Sequence, residues 1–215
     1  ELDINPLMAS PEKLIALDAR VLVYGKDVTQ AQLPKMAIRA YPMKYVSSWT
    51  AKDKTNVTIR PILTEDEKLL VRFHADLSDR SVFLRYLQPM MFQERVVHER
   101  LSRICHCDYD REIALVAEKK VDGESIIMGV VRLSKLHANS EGRLSILVAD
   151  PYQGTGLGGE MVRRMIDVAK QEHLEKISAI LTDDNQVMGQ LFKKLGFTIE
   201  ATAENPKLMN ALLML

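Results

Sequence analysis

The sequence lacks an excess of either charge, and it lacks any long apolar run. Its 215 residues carry 29 lysines and arginines against 29 aspartates and glutamates, so no overall field attracts nucleic acid or an anionic membrane surface. No apolar run approaches the roughly 18 residues that a membrane-spanning helix requires. With 47% apolar and 27% charged residues, the composition is typical of a globular protein. We expect a cytoplasmic protein without nucleic-acid or membrane partners, of unknown oligomeric state.

Cysteine is also scarce. The two cysteines, Cys105 and Cys107, flank His106. Zinc sites usually take four ligands from two such clusters, and no second cluster of cysteine or histidine lies nearby in the sequence. We therefore predict no metal site, and reduced thiols as in a reducing compartment.

The chain begins at Glu1 without an initiator methionine and without the basic and apolar regions of a signal peptide. This start suggests a fragment of a longer polypeptide. Alternating apolar residues in the first 25 positions predict two short strands around a polar turn, too little to be stable alone. Residues 26–56 have prolines, serines and few periodic apolar residues, which predicts either a linker or a surface-packed extension with Tyr45 and Trp49 against the following domain.

From residue 57 the apolar spacing becomes regular. After a strand over residues 57–62, a capping box of Thr64 and Glu67 predicts a helix start. Further helices are predicted over 81–86, 92–104, 156–173 and 186–195. Strands are predicted over 111–120, 124–137, 142–149, 176–181, 197–201 and 208–215.

One glycine-rich turn, in "PYQGTGLGGEMVRR" at residues 151–164, separates a predicted strand from a predicted helix. Free amides at a helix start bind anions, and glycines let a phosphate approach the backbone. A P-loop is excluded, because Gly158-Gly159-Glu160 stands where a lysine is needed. The spacing of Gly154, Gly156 and Gly159 also fits a dinucleotide-binding fingerprint. Asp183 and Asp184, which follow a later strand, stand where a ribose-binding acid would be. A dinucleotide-binding domain begins with such a turn, however, whereas about 55 residues follow it here.

An alternative division of the same turn is "QGTGLG", residues 153–158. With "ILVADPYQGTGLGGEMVRRMIDVAK" and "DDNQVMGQLFKKLGF", it resembles the GNAT acetyltransferase superfamily, over roughly residues 57–215. The resemblance implies an α/β fold, in which helices flank a mixed central sheet whose fourth and fifth strands splay apart. It also implies that the cofactor is acetyl-CoA.

The resemblance assigns cofactor-binding residues. Amides of the turn would hold the pyrophosphate, and strand backbone groups would pair with pantetheine and stabilise the oxyanion at the acetyl carbonyl. Asn185 would bond pantetheine, although asparagine is equally suited to a helix N-cap. The remaining predicted cofactor-binding residues are Ile146, Leu147, Val148, Gln153, Gly154, Thr155, Gly156, Leu157, Gly158 and Gly159.

A narrower resemblance involves the start of the chain and the start of the acetyltransferase-like region. "TIRPILTEDEKLLVRFHADLSDRSVFLRYL" is similar to the opening of bacterial protein-lysine acetyltransferases fused to a nucleotide-dependent acyl-CoA synthetase-like module. "ELDINPL" and "IALDARV" resemble the last strands of its ATP-grasp domain, where Asp3 and Asn5 match residues that help to hold magnesium. The resemblance implies that residues 1–25 belong to that domain, residues 26–56 are a linker, and residues 57–215 are the acetyltransferase. The acceptor would be a protein or small-molecule amine, with a synthetase lysine as one candidate.

The catalytic residues are less clear. A lysine, with an ordinary pKa of about 10.4, must lose a proton before it attacks a thioester. Where the family usually has a glutamate base, this chain has Arg143, which cannot accept a proton. Glu141, two residues earlier, is the predicted base; its alternative is a solvated loop carboxylate. His137 and Asp150 are weaker candidates.

Phe192 stands where many family members have a tyrosine acid. The departures at positions 143 and 192 support a second hypothesis, a non-catalytic domain that senses acyl-CoA and regulates an attached synthetase.

Overall fold

The computed structural model describes residues 1–29, 32, 39–136, 140–203 and 205–215. It divides the chain into two compact units, Glu1–Ala37 and Ile38–Leu215.

The first unit contains two small antiparallel sheets of two strands each. Their strands are β1 (Leu2–Ile4) with β4 (Ala19–Val21), and β2 (Leu7–Ala9) with β3 (Leu14–Ala16). The sequence predicted two strands here, and the structure has four. Apolar side chains such as those of Leu14 and Val23 are exposed, at 69% and 83%, so these strands bury little core of their own.

The second unit is built on a mixed sheet of eight strands in the order β11-β12-β10-β9-β8-β7-β6-β5. The strands are β5 (Ser47–Thr50), β6 (Asn56–Pro61), β7 (Glu112–Val121), β8 (Glu124–Leu136), β9 (Glu141–Val148), β10 (Lys176–Thr182), β11 (Thr198–Ala201) and β12 (Leu208–Met214). Neighbouring strands are antiparallel except β9 and β10, which run parallel. The predicted mixed sheet is therefore confirmed.

Helices cover both faces of this sheet. They are α1 (Glu67–Ala75), α2 (Asp79–Tyr86), α3 (Phe92–Arg95), α4 (His98–Cys105), α5 (Leu157–Gln171) and α6 (Gln186–Lys194). Buried side chains of α5 pack into one core cluster, and those of α1, α2 and α4 pack into the other. Among the described residues, no helix combines the length and apolar character needed to cross a bilayer.

Two helix predictions need correction. The helix predicted over residues 92–104 is broken, because α3 ends at Arg95 and α4 begins after Val97, which is extended with φ −62° and ψ 140°. Two consecutive β-branched residues, Val96 and Val97, favour such a break. The cap before α1 is formed by Asp66, whose carboxylate accepts the Leu63 amide at 2.8 Å, and not by the predicted pair of Thr64 and Glu67.

The segment predicted as a linker or a surface-packed extension, residues 26–56, contributes a strand to the sheet. Strand β5 pairs with β6, with Ser47 opposite Ile59, and Tyr45 is only 6% exposed. The sheet therefore begins before residue 57, the predicted boundary. Apolar packing of Tyr45 and Trp49 against the core holds this segment in place.

Glu172, at the end of α5, ties the same segment to the sheet. Its carboxylate, whose side chain is 6% exposed, accepts hydrogen bonds from Arg39 at 2.6 Å, Tyr45 at 2.5 Å and Lys135 at 2.8 Å. Burial acts to raise the pKa of Glu172, but these three hydrogen bonds outweigh it and place the pKa far below the ordinary 4.5. The ionised form is thus strongly favoured in the folded state.

We expect Glu172→Gln to lower the free energy of unfolding by about 2 kcal/mol, because it leaves Arg39 and Lys135 without their counter-charge. Urea unfolding followed by the fluorescence of Trp49, the single tryptophan, measures the change. Since the folded pKa is depressed, the difference is present at neutral pH and shrinks as pH falls below about 4.5. The exposed Glu200→Gln is the control, and equal losses in both variants would contradict the assignment.

Candidate active site

The parallel strands β9 and β10 separate partway along their length. Strand β9 pairs with β8 from Glu141 to Val148, and β10 pairs with β12 throughout. Between β9 and β10 the pairing is limited to three positions, the last being Ser178 opposite Arg143. Beyond that pair the edge of β9 is open, which is the splay that the sequence predicted.

The hydrogen bond from the Ala149 amide to the Met128 carbonyl, at 2.9 Å, shows which amides face this gap. Successive amides of a strand point to opposite edges, so those of Leu144, Ile146 and Val148 point away from β8. The pairing of Arg143 with Ser178 uses the Leu144 amide in the ladder with β10, so the amides that face the gap are those of Ile146 and Val148, two of the predicted residues. The backbone of Leu147 faces β8, which residue letters do not reveal because they do not give the register.

The glycine turn lies between β9 and α5. Gly154 and Gly156 have φ of 76° and 94°, a region that residues with a Cβ rarely adopt. Within the described ranges, five amides of the turn and first helical positions have no acceptor. They belong to Gly154, Thr155, Gly156, Gly158 and Gly159.

Space in front of the turn fits a bound anion. A Cβ built on Gly154 or Gly156 meets no atom within 4 Å. Thr155 and Leu157 shape the turn with their side chains: the Thr155 hydroxyl donates to the Tyr152 carbonyl at 2.7 Å, and Leu157 is fully buried. The free amides and the start of α5 together suit a pyrophosphate, as the sequence predicted.

Gln153 holds the turn against β9. Its side-chain amide donates to the Val148 carbonyl and to the Ser81 hydroxyl, both at 3.0 Å, and to Asp150 at 3.2 Å. Its backbone amide donates to the Asp150 carbonyl. Since these groups are already bonded within the chain, Gln153 positions the turn and does not offer a donor to the cofactor.

Asp150 is engaged in the same network. Its carboxylate accepts the Ser81 hydroxyl at 2.7 Å. Burial acts to raise the pKa of Asp150, but hydrogen bonds from Ser78 and Ser81 outweigh it and lower the pKa. This residue, a weaker candidate for the base, is therefore a poor proton acceptor near neutral pH.

Glu141 lies at the paired end of β9, away from the opening. Its carboxylate accepts the Ser178 hydroxyl at 2.5 Å and pairs with the Lys176 ammonium at 2.9 Å. The hydrogen bonds from Ser178 and Lys176 lower the pKa of Glu141. The first amide that faces the gap, at Ile146, is five residues or about 17 Å further along the strand, so direct contact with a thioester there is disfavoured. Arg143 is exposed, and His137 lies outside the described residues.

Asn185 stands just before α6. Its side-chain oxygen accepts the Met188 amide at 3.2 Å, which is the N-cap alternative left open by the sequence. Phe192 on α6 is 2% exposed and packs on Phe197, with ring centroids 4.7 Å apart, so its ring is part of the core.

Cys105 is a buried free thiol, and Cys107 is a partly buried one. Burial raises the pKa of the Cys105 thiol to about 12, which keeps it protonated. Across the described ranges, no group of three or more histidine, cysteine, aspartate or glutamate side chains is placed to hold a metal ion.

Comparisons with known proteins agree on one family. The model of a family described as "Acetyltransferase (GNAT) domain" matches residues 56–198. An acetyltransferase of Pseudomonas aeruginosa is 29% identical over 145 residues, which cover 67% of this chain and 76% of that protein. The spermidine N(1)-acetyltransferase of Escherichia coli is 26% identical over 151 residues, covering 67% and 74%. In fold, the crystal structure of the GNAT domain of S. lividans PAT has a TM-score of 0.72, with 22% identity over 81% of this chain and 99% of that one.

We expect Gly156→Ala to weaken coenzyme A binding by about tenfold or more. The new Cβ enters the open space before the free amides, and φ of 94° strains any residue but glycine. Titration calorimetry with coenzyme A measures the change. Gly123→Ala, in the hairpin turn at φ 86°, is strained alike but far from the turn in sequence, and should bind as the wild type does. Wild-type affinity in Gly156→Ala would show that the cofactor does not approach this glycine.

Proposed function

The chain belongs to the GNAT acetyltransferase family and uses acetyl-CoA, and on that premise we propose that its second unit acetylates a lysine side chain of a protein. The observation that carries the proposal is the continuity of donors, since five amides of the glycine turn that lack an acceptor among the described residues adjoin a strand edge with two more, those of Ile146 and Val148. Such a line of donors suits a long acyl carrier with a pyrophosphate at one end.

Acetyl-CoA supplies an acetyl thioester: the acceptor nitrogen forms a bond to the carbonyl carbon, the carbon–sulfur bond breaks, the thiolate leaves and the nitrogen loses one proton. The chain contributes position and electrostatics. Amides of Gly154 to Gly159 would hold the pyrophosphate, and the Val148 amide would hold the pantetheine arm, with the NH2 of Asn185 beside it. The Ile146 amide would donate to the carbonyl oxygen as negative charge develops there.

Glu141 is the proposed proton acceptor, acting through a chain of bridging water molecules. It is ionised at neutral pH, and its separation of about 17 Å along the strand from Ile146 is too long for direct transfer. Its lowered pKa makes it a weak base, so its contribution should lie below the usual range for general bases.

The acceptor is proposed from similarity. The E. coli relative acts on spermidine, which shows that a relative of this chain takes a small amine. The similarity of the opening helices to protein-lysine acetyltransferases favours a lysine, and residues 1–25 would be the end of an ATP-grasp domain in a cytoplasmic synthetase fusion, with 26–56 linking it to the acetyltransferase at 57–215.

A second candidate function is an acyl-CoA sensor that transfers nothing. Two observations favour it: Arg143 occupies the place of the usual base, and Phe192 is buried in the core at 2% exposure where a tyrosine acid is usual. Both functions require the same cofactor site and differ in transfer.

We expect the full chain to acetylate a lysine peptide, detected by mass spectrometry, at a rate that rises with pH towards the amine pKa of about 10.4. Binding of acetyl-CoA without transfer to any amine at pH up to about 9 would establish the sensor instead.

We expect Glu141→Gln to lower kcat at pH 7 by about tenfold. The deficit should shrink as pH rises, because a neutral amine needs no base. Glu200→Gln is the matched control. An unchanged pH profile of kcat in Glu141→Gln would exclude Glu141 as the proton acceptor.

A further inference from the structure

A cavity of about 280 Å³ lies on the other face of β9 from α5, between the sheet and helices α1, α2 and α4. Its floor includes Ser145 and Leu147 of β9, the strand whose alternate residues face the cofactor gap. The cavity is therefore within one strand of the proposed reaction site.

Arginines dominate its lining. Arg85, Arg100, Arg103 and Arg132 line it, with Glu112 as the one carboxylate. Glu112 is already paired with Arg132, which also donates to the Ile104 carbonyl at 2.7 Å. Within the described part of the chain, Arg85, Arg100 and Arg103 have no carboxylate partner.

Two of these guanidinium groups are held in place by an aromatic ring. Arg85 and Arg100 lie over the Tyr86 ring at 4.9 Å and 4.8 Å from its centroid. Burial, and then repulsion by Arg132 and Arg100, lower the pKa of Arg85. Stacking fixes both positive charges on one ring, and their in-plane N–H groups remain available for a ligand.

Buried polar atoms of the lining also lack partners. His74 is 3% exposed and its Nδ1 has no hydrogen-bond partner among the described residues, and the same holds for Nε of Arg100. Burial, and then Arg100 and Arg95, lower the pKa of His74 to about 4, so the ring is neutral at pH 7. The unpaired Nε–H of Arg100 and the partly desolvated guanidinium charges are costly, and an anion would satisfy both.

We propose that this cavity binds an anionic group, a carboxylate or phosphate, carried by the acceptor beside its amine. This inference rests on the proposed transfer to an amine and narrows it to lysines with an acidic neighbour, in contrast to a polyamine such as spermidine. Guanidinium groups bind carboxylate and phosphate through paired hydrogen bonds, and the cavity opens beside the strand that orients the thioester.

The test compares two lysine peptides that differ only in a glutamate or glutamine next to the lysine, with spermidine as a third acceptor. We expect kcat/KM for the glutamate peptide to exceed that for the glutamine peptide by about tenfold or more. Arg85→Gln and Arg100→Gln should each move this ratio towards one. Arg72→Gln, in an exposed pair with Glu124 on the neighbouring surface, should keep the ratio, and Trp49 fluorescence verifies that each variant is folded.

Binding of inorganic phosphate, followed by NMR shifts of the full chain, tests the cavity apart from catalysis. We expect shifts at residues such as Tyr86 and Ser145, lost in Arg85→Gln, and competitive inhibition against the glutamate peptide. If no acceptor is acetylated, the transfer proposal fails while these shifts still support an anion site. Phosphate binding with equal rates for both peptides would mean a free anion and overturn the acceptor assignment, and absence of shifts would overturn the site.

Discussion

Three residue pairs join the two halves of the central sheet, from Lys176 opposite Glu141 to Ser178 opposite Arg143. Strand β9 is otherwise satisfied by β8, and β10 by β12, so the halves are independent beyond this short joint. A strand edge left open inside a protein is costly unless its amides find partners. The gap that weakens the sheet therefore exposes backbone donors, and the glycine turn continues the same line.

The joint also constrains Glu141. This carboxylate bridges β9 and β10 through Ser178 and Lys176, and a carboxylate used in this way is not free to reach a thioester. Gln153 similarly ties the turn to the end of β9 at Val148. In the proposed transfer, position and the strand amides, which need no titratable group, would contribute more than acid–base chemistry.

Charge behaves differently at the scale of the whole chain and at the scale of one cavity. Equal numbers of acidic and basic residues exclude a strong overall field, yet arginines from two helices and a strand line one cavity, whose single lining carboxylate is already paired. Their separation in the sequence, from position 85 to position 132, hides this concentration. In the proposed acceptor site this local charge, and not the net charge, would favour amines with an acidic neighbour.

The sequence alone determined the order of most strands and helices, the glycine turn and the cofactor, because apolar period and the lack of a Cβ act within a few residues. The helix break at Val96 and Val97 was missed although these two β-branched residues favour it locally, whereas the strand at Ser47–Thr50 was missed because its pairing with β6 is decided by packing. Only the tertiary structure determined that Ile146 and Val148, and not Leu147, face the gap, that Glu141 and Gln153 are already bonded, and that the arginines converge. These features depend on strand register and on partners distant in the chain, which no local spacing specifies.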